Sequence, residues 1–253
     1  MNKIRICCSG NTPALAFACQ NLLQQGFEIS PQPAPDVTHL LLPVPSFEAD
    51  GRIRGGGIMA HILADLPEDV TVVGGNLSAP ILHNYCTIDL LQDAQYVAEN
   101  AAITADCAIR VARAQMNTVW RKCPVLIIGW GRIGKCLADQ LRALGADVAV
   151  AARKDADLAI LQALGYRPEN IRFLDLSPFR VIFNTVPTAV LSREQCKSCD
   201  PGCIKIELAS KPGIDDLSVI SALGLPAKYA PETSGKLIAD TFVRLLQRKE
   251  RNL

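Results

Sequence analysis

The fold of this 253-residue chain is decided by residues 124–154, PVLIIGWGRIGKCLADQLRALGADVAVAARK. The apolar run that ends at Ile128 is typical of a strand buried on both faces. The glycines of GWGRIG then follow the pattern G-x-G-x-x-G at the point where the chain must turn. Apolar residues next recur at helical spacing as far as Gly145, and a second apolar run covers Val148 to Ala152. This order predicts a β-α-β unit that binds a dinucleotide, because strand, helix and second strand all stand at the required places.

The glycine-rich turn is the predicted diphosphate site. In such units Gly129 makes the tight turn, Gly131 lets the backbone approach the diphosphate, and Gly134 lets helix and strand pack closely. We expect Arg132 and Ile133 to contribute backbone amides at the helix N-terminus, where an anion is stabilised.

The end of the second strand indicates which dinucleotide binds. An NAD site has Asp or Glu at this place, which binds the ribose 2′-hydroxyl. Here the chain has Ala152, followed by Arg153 and Lys154. Without the carboxylate there is no repulsion against a 2′-phosphate, and a guanidinium can bind that phosphate through two parallel hydrogen bonds. The sequence therefore predicts NADP, with NAD as the alternative.

Composition excludes several classes of function. The chain has 26 Lys and Arg against 25 Asp and Glu, a formal net charge of +1, which argues against a nucleic-acid surface or a polybasic membrane patch. No apolar run approaches the ~20 residues of a membrane span, and we expect no signal peptide at the N-terminus.

The ten cysteines are scattered, and several lie inside apolar elements: Cys7, Cys8, Cys19, Cys107 and Cys136. We therefore expect buried free thiols in a reducing cytoplasm and no disulfide framework.

The rhythm of strands and helices predicts an α/β protein with two Rossmann-like parallel-sheet domains and an interdomain helix. Residues 1–95 form an N-terminal, flavodoxin-like α/β domain. Residues 96–120 form a bridging helix. Residues 121–253 form the NADP-binding Rossmann domain, whose C-terminal helix packs back on the N-terminal domain.

Three local predictions concern the segments around these domains. The bridging helix is expected to be interrupted near residues 100–104, with Thr104 as the cap of its second part. Residues 215–223 are predicted to be a helix, and residues 228–230 a last short strand before the long final helix.

Ligands of doubly wound sheets bind at the carboxyl ends of the strands. We assign those ends to residues 129–134, 152–154, 184–187, 207–211 and 231–235. From these ends we predict further coenzyme contacts by Asn184, Thr185, Pro187, Leu208 and Ala209. Turn formation is an equally good explanation for Asn184 and Thr185, since such residues also favour turns.

The order of motifs resembles the A-subunit family of dipicolinate synthase. In the second half the resemblance is carried by GWGRIGKCLADQLRALGADVAVAARK, FNTVP, ELASKPG and YAPETSGKLIADTF, and in the first half by LLLPVP, VVGGNLS and ENAAITADCAI. It covers almost the whole chain. Two departures concern acidic groups: Asp106 stands where the family has glutamate, and Glu207 where it more usually has aspartate.

The resemblance implies an NADP-dependent oxidation during sporulation. A dihydrodipicolinate-type precursor, formed by loss of water from 4-hydroxy-tetrahydrodipicolinate, would be oxidised to dipicolinate. The implied partners are the small dicarboxylate substrate, the B subunit of dipicolinate synthase and further copies of the chain. The implied location is the cytoplasm of the mother cell.

Such a reaction needs a proton acceptor and groups that hold two carboxylates. We predict Asp106 as the acceptor, which faces the cleft if Thr104 caps its helix; a solvated helix carboxylate is an equally good explanation. Ser210 and Lys211 are predicted as further catalytic residues. The predicted substrate-binding residues are Asn76, Ser78, Thr104, Thr233 and Ser234.

Two other functions remain as alternatives. A D-2-hydroxyacid dehydrogenase has the same two-domain plan but uses a histidine in its C-terminal part, whereas His39, His61 and His83 all lie in the first half of this chain. A non-catalytic NADP-binding protein, with a scaffold or regulatory role, is the second alternative.

The cysteines also raise the question of a metal site. The spacing C-x2-C-x3-C of Cys196, Cys199 and Cys203 is suggestive of thiolate ligation. A closed site needs a fourth ligand, and no further Cys or His lies nearby in the sequence, so we predict no metal.

Overall fold

The structure is a computed structural model that describes residues 4 to 251. Its contacts divide the chain into two compact units, unit 1 (residues 1–100 and 226–253) and unit 2 (residues 101–225). In chain order the elements are β1 (Arg5–Cys8), α1 (Pro13–Gln24), β2 (Glu28–Ser30), β3 (His39–Leu41), α2 (Met59–Ala64), β4 (Thr71–Gly74), β5 (Cys86–Asp89), α3 (Ala94–Gln115), β6 (Pro124–Ile128), α4 (Arg132–Ala143), β7 (Asp147–Ala152), α5 (Asp155–Ala163), β8 (Arg167–Asn170), β9 (Val181–Asn184), α6 (Arg193–Cys196), β10 (Ile204–Glu207), β11 (Ile220–Ser221), α7 (Leu225–Tyr229) and α8 (Pro231–Arg251).

The described strands of unit 1 form a parallel sheet in the order β2-β1-β3-β4-β5. This 2-1-3-4-5 order is that of flavodoxin-type sheets. Helix α1 begins as its sequence predicts: the Thr12 side chain accepts a hydrogen bond from the Leu15 amide, and Pro13 is the first helical residue. Leu40 and Val72, on neighbouring central strands, are fully buried in the core of this unit.

Helix α8 packs directly on α1 within unit 1. Gly235 permits the approach, because a Cβ added there would lie 2.5 Å from both the Ala14 carbonyl oxygen and the Phe17 Cβ. Further along, Gln25 donates a hydrogen bond to Asp240. Residue numbers rise together along the two helices, so α1 and α8 run parallel.

The expectation of free thiols in apolar elements is wrong for Cys8 and Cys19. The sulfurs of Cys8, at the end of β1, and Cys19, in α1, are bonded to each other. The two residues are 11 positions apart in the sequence, and the fold of α1 back onto β1 brings their Cα atoms to 6.8 Å. A scattered cysteine pattern does not reveal such a pairing.

The described strands of unit 2 form a parallel sheet in the order β11-β10-β9-β6-β7-β8. Counted from β6, this is the 3-2-1-4-5-6 order of dinucleotide-binding sheets, and the chain reverses direction across the sheet between β6 and β9. The prediction of two parallel-sheet Rossmann-type units is therefore confirmed. Residues Val125–Ile128 are fully buried, as the apolar run predicts.

Several local predictions are wrong. Helix α3 runs without interruption through residues 100–104. Ala101 and Ala105 are buried, and their packing outweighs the weaker helix propensities of Asn100 and Thr104. Residues 228–230 continue α7 and its end instead of forming a strand. The predicted helix at 215–223 is replaced by a turn, in which the Asp216 carboxylate accepts the Ser218 amide, and by β11.

Strands β5 and β8 have no counterpart in the sequence predictions. Both are edge strands of four residues, CTID and RPEN, with half-exposed or exposed side chains. A short polar strand is defined by backbone pairing with its neighbour, which composition does not reveal. No helix among residues 4–251 is both long and apolar enough to cross a membrane.

One ion pair joins the start of α3 to α8 in unit 1. The Arg244 guanidinium donates two hydrogen bonds to the Asp93 carboxylate, at 2.6 and 3.1 Å, and Asp93 also accepts the Tyr96 amide at 2.8 Å. The Asp93 side chain is only 9% exposed. The hydrogen bond from Arg244 is the main cause that holds the pKa of Asp93 below its usual range.

Replacing Asp93 by Asn keeps a side chain that can cap the helix but removes the charge. We expect Asp93→Asn to lower the free energy of unfolding by about 2 kcal/mol at neutral pH. Because the folded-state pKa is depressed, this stabilisation is present above the unfolded-state pKa of about 3.9 and is lost as the pH falls through the lower, folded-state value. We would measure the free energy of unfolding in urea from pH 7 down to about pH 2; the values for the wild type and the variant should approach each other only below about pH 4.

Asp50→Asn is the matched control. Its carboxylate also pairs with an arginine, Arg52, but at the surface, so we expect no measurable change in stability. Equal effects of the two substitutions would contradict the role given to Asp93.

Candidate functional site

The turn after β6 is held by two glycines that the protein itself requires. Gly129 has φ +105°, and a Cβ added there would lie 2.5 Å from the Thr185 hydroxyl oxygen. A Cβ on Gly134, in the first turn of α4, would overlap the Gly129 carbonyl oxygen. Helix α4 therefore packs against the end of β6 only when both positions lack a side chain.

Gly131, the middle glycine, is different. Its backbone is extended, with φ −80° and ψ −170°, a conformation open to any residue. A Cβ added there would meet no protein atom within 4 Å. Neither conformation nor packing within the protein explains why this residue is glycine, whereas a ligand lying against the backbone at the N-terminus of α4 would.

An open cleft of about 460 Å³ adjoins this turn. Its walls come from the ends of β6 and β7 and from the segment after β9, so it lies beside the point where the strand order reverses. The residues lining it include Gly129, Trp130, Ala152, Arg153, Lys154 and Val186. The Trp130 indole lies 5.7 Å from the Tyr166 ring in an edge-to-face arrangement.

The charged residues of the cleft lie next to the end of β7. Ala152 is buried at the end of β7 and contributes no carboxylate, while Arg153 and Lys154 are exposed. Asp157 also lines the cleft, in the first turn of α5, where a carboxylate stabilises the positive end of the helix. The cleft thus has two exposed cations and one carboxylate beside the end of β7.

The end of β9 is tied to the end of β6. The backbone amide and the hydroxyl of Thr185 both donate to the Ile128 carbonyl, at 3.0 and 2.9 Å. Asn184, fully buried, donates its amide hydrogens to the Val186 carbonyl at 3.0 Å and to Glu207 at 2.8 Å, and its oxygen accepts the Val186 amide. The Thr185 hydroxyl hydrogen and the polar groups of Asn184 thus all have partners within the protein.

Glu207, the last residue of β10, stands opposite Asn184 in the sheet and is 4% exposed. Its carboxylate accepts hydrogen bonds from the Asn184 side chain and from the amides of Ala209, Gly213 and Ile214, at 2.7–3.2 Å. These bonds close residues 208–213 into a loop, named the β10 loop below.

The β10 loop carries several predicted site residues. Leu208 and Ala209 are buried at its start, whereas Ser210 and Lys211 are exposed at its tip. Pro187 is exposed on the neighbouring segment after β9. Unit 2 therefore brings the predicted coenzyme residues and two of the predicted catalytic residues to one edge of one sheet.

Four predicted substrate residues belong to unit 1. Asn76 and Ser78 are exposed after β4, with Asn76 in the left-handed conformation at φ 59°. Thr233 and Ser234 lie in the first turns of α8; Thr233 is exposed, while Ser234 is buried. The assignment of residues 231–235 to a strand end of the second sheet is wrong, since they belong to α8.

The remaining candidates lie on α3. Thr104 is buried inside the uninterrupted helix and is not its cap. Asp106 is exposed on the same helix. The prediction that Asp106 faces a cleft depended on a cap at Thr104, so it loses that support.

The cysteine-rich segment before β10 has the properties of packed thiols. Burial is the main cause that raises the pKa of Cys196 to about 11 and that of Cys203 to about 12. Metal ligation requires the thiolate, which these surroundings disfavour. Across the described part of the chain, no group of three or more His, Cys, Asp or Glu side chains has an arrangement that could hold a metal ion.

Comparison with known proteins gives one curated match. A segment of 162 residues is 30% identical to the A subunit of dipicolinate synthase from Bacillus subtilis. This chain is similar to that protein. The match spans 58% of this chain and 53% of the relative, about half of its length. No family model matches the sequence.

Two solved structures of the same dipicolinate synthase component share the fold. The structure from Bacillus halodurans gives a TM-score of 0.81 at 22% identity, covering 97% of this chain and 98% of that one. The structure from Bacillus subtilis gives 0.83 at 22% identity, covering 100% and 99%. The resemblance inferred from the motifs is confirmed by the curated match, and the two structures show that the fold is shared.

The sequence predictions gave no site role to Glu207 and none to Gly213. For Glu207 the sequence did contain a signal. The buried strands VIFN and IKIE both end in a polar residue, which suggests that these two side chains contact each other at the edge of the sheet. For Gly213 the reason is tertiary, since a Cβ there would lie 2.6 Å from the Thr188 carbonyl oxygen and would overlap the Asn184 amide.

The two glycine environments predict opposite phenotypes. Gly131→Ala should fold with a free energy of unfolding within about 0.5 kcal/mol of the wild type, because its Cβ enters open space. The same methyl group should weaken nicotinamide coenzyme binding by at least about tenfold, since it stands where the diphosphate would lie. Gly134→Ala, the matched control, should instead lose about 1–3 kcal/mol of stability through overpacking.

Urea unfolding without coenzyme measures the first quantity. Quenching of tryptophan fluorescence by the reduced coenzyme measures the second, since Trp130 lines the cleft. A Gly131→Ala protein that binds coenzyme as tightly as the wild type would remove the diphosphate from this turn.

Proposed function

We propose that this protein is an NADP-dependent oxidoreductase that performs the reaction of dipicolinate synthase as its A subunit. In this reaction a dihydrodipicolinate-type precursor, derived from 4-hydroxy-tetrahydrodipicolinate, loses a hydride and a proton and becomes aromatic dipicolinate. The observation that carries the proposal is the turn of Gly129, Gly131 and Gly134, whose middle glycine faces open space next to a cleft with two exposed cations.

The coenzyme would be held by unit 2. The amides at the N-terminus of α4 have no partners within the helix and would bind the diphosphate. Arg153 and Lys154 would bind the 2′-phosphate, and Ala152 leaves room for it without a repelling carboxylate. The choice of NADP over NAD rests on these three residues.

The loops after β9 and β10 would hold the reacting end of the coenzyme and the substrate. When bound, the oxidised nicotinamide supplies the hydride acceptor. The Lys211 ammonium and the Ser210 hydroxyl, exposed at the tip of the β10 loop, would bind and orient a substrate carboxylate. Asp106 remains our proposal for the proton acceptor, and its carboxylate is accessible on α3.

The resemblance extends the proposal to partners and place. The family implies association with the B subunit of dipicolinate synthase and with a second copy of the chain. It also implies the cytoplasm of the mother cell during sporulation. The carboxylate-binding roles of Asn76, Ser78, Thr233 and Ser234 in unit 1 also stay proposals.

A D-2-hydroxyacid dehydrogenase activity is disfavoured by the histidines. His39 lies in β3 against the Phe242 ring, and His61 and His83 are exposed in unit 1, so unit 2 contains no histidine that could act as its acid and base. The remaining alternative is a non-catalytic scaffold, which would bind NADP in the same way but would not oxidise a substrate.

Coenzyme choice is tested by Arg153→Ala. We expect the affinity for NADP to fall about 10- to 100-fold, the loss of a charge-assisted hydrogen-bond pair, while the affinity for NAD stays within about threefold. Isothermal titration calorimetry with both coenzymes measures this. Arg52→Ala, an exposed arginine of unit 1, is the control and should change neither affinity. Equal losses for NAD and NADP would contradict the assignment of Arg153 to the 2′-phosphate.

A measurement of catalytic turnover distinguishes an enzyme from a non-catalytic scaffold. The purified chain, with and without the B subunit, should reduce NADP when supplied with freshly prepared 4-hydroxy-tetrahydrodipicolinate, and dipicolinate should accumulate in equal amount. The reaction is followed by the absorbance of the reduced coenzyme and by chromatography. Coenzyme binding without any reduction, even with the partner present, would favour the scaffold.

A further inference from the structure

Glu207 connects two loops that are separate in the sequence. It is the last residue of β10, directly opposite Asn184 at the end of β9, so the two side chains point to the same face of the sheet. One carboxylate oxygen accepts the Asn184 side-chain amide at 2.8 Å and the Ala209 amide at 3.1 Å. The other accepts the amides of Gly213 at 2.7 Å and Ile214 at 3.2 Å.

This donor set fits an ionised carboxylate and little else. An ionised carboxylate only accepts hydrogen bonds and offers about four acceptor positions, and Glu207 receives four donors. A glutamine would accept at one oxygen only and would turn its own N–H groups toward backbone N–H groups. With 4% exposure, no solvent can replace the lost partners.

The bonds define the shape of the β10 loop. Ala209 is bound at its start and Gly213 at its end, so the intervening Ser210, Lys211 and Pro212 project from a closed base. Gly213 also lies against the segment after β9, because an added Cβ would lie 2.6 Å from the Thr188 carbonyl oxygen.

We infer that Glu207 is a positioning residue, which holds the β10 loop against the end of β9 and thereby places Ser210 and Lys211 for the substrate. The inference rests on the proposed function for the role of that loop. Glu207 does not touch substrate or coenzyme in this role, because all four of its hydrogen bonds go to the protein.

The tether itself is tested by hydrogen–deuterium exchange of the full chain. In the wild type, the amides of Ala209, Gly213 and Ile214 should exchange as slowly as strand amides, although they lie in a loop. Glu207→Gln should speed their exchange at least about tenfold. Glu194→Gln, a surface glutamate on α6, is the matched control and should leave it unchanged. Fast exchange in the wild type would overturn the inference even if the variant does not fold.

The positioning role is tested by kinetics of the same variants with coenzyme and substrate. Glu207→Gln should keep the coenzyme dissociation constant within about threefold but lower kcat/KM about 100-fold, the usual effect of misplacing a substrate-orienting group. The shape of the pH–rate profile should not change. Loss of its acidic limb would instead make Glu207 a proton-transferring group and overturn the positioning role.

Gly213→Ala provides a second route to the same displacement with Glu207 intact. It should lower kcat/KM to a similar degree, because the added methyl group pushes the loop away from β9. If either variant exchanges these amides fast but keeps the kcat/KM of the wild type, the position of the loop does not matter for turnover and the positioning role is overturned. If the wild-type protein binds NADP but catalyses no oxidation, the proposed function is refuted. The exchange experiment would still show whether Glu207 holds the β10 loop.

Discussion

The architecture of unit 2 depends on one close approach of backbone to backbone, where the first turn of α4 meets the end of β6. Gly134 has no side chain because one would overlap the Gly129 carbonyl oxygen, and Gly129 has φ +105°, which a residue with a Cβ rarely adopts. The approach turns the N-terminus of α4 toward the carboxyl edge of the sheet. The cleft, the two cations after β7 and the loops after β9 and β10 lie at this same edge of the sheet.

Around this turn, three glycines that look equivalent in the motif have different physical causes. Two are required by the protein, one through conformation and one through packing, whereas Gly131 is required by neither. Neither the backbone conformation nor the packing of the protein requires glycine at this position of the motif, so a ligand that lies against the backbone is the remaining explanation. This separation makes the coenzyme site testable without a bound ligand, since stability and affinity should respond to different glycines.

A second centre of organisation lies on the neighbouring strands β9 and β10. Asn184 and Glu207 are buried polar residues at the same level of these strands, and the hydrogen bonds of their side chains are made within the protein. Burying a carboxylate is costly unless its oxygens are bonded, and here four donors supply those bonds. The consequence is a hydrogen-bonded base for a loop whose exposed tip carries a lysine and a serine. Similarity to dipicolinate synthase gives that loop a proposed substrate, and the network explains how such a loop is held in place.

The sequence by itself determined the features that depend on local spacing. These include the β-α-β unit at residues 124–154, the parallel sheets, the cap of α1 at Thr12 and the absence of an acid at Ala152. Periodicity and turn chemistry act over a few residues, so they can be read along the chain. Only the tertiary structure decided the Cys8–Cys19 bond, the Asp93–Arg244 pair, the edge strands β5 and β8, and the four hydrogen bonds of Glu207. The bonds join residues that are distant in the sequence and that only the fold brings together. The edge strands depend on backbone pairing, which is independent of side-chain type. In both cases the partners cannot be identified before the sheets are assembled.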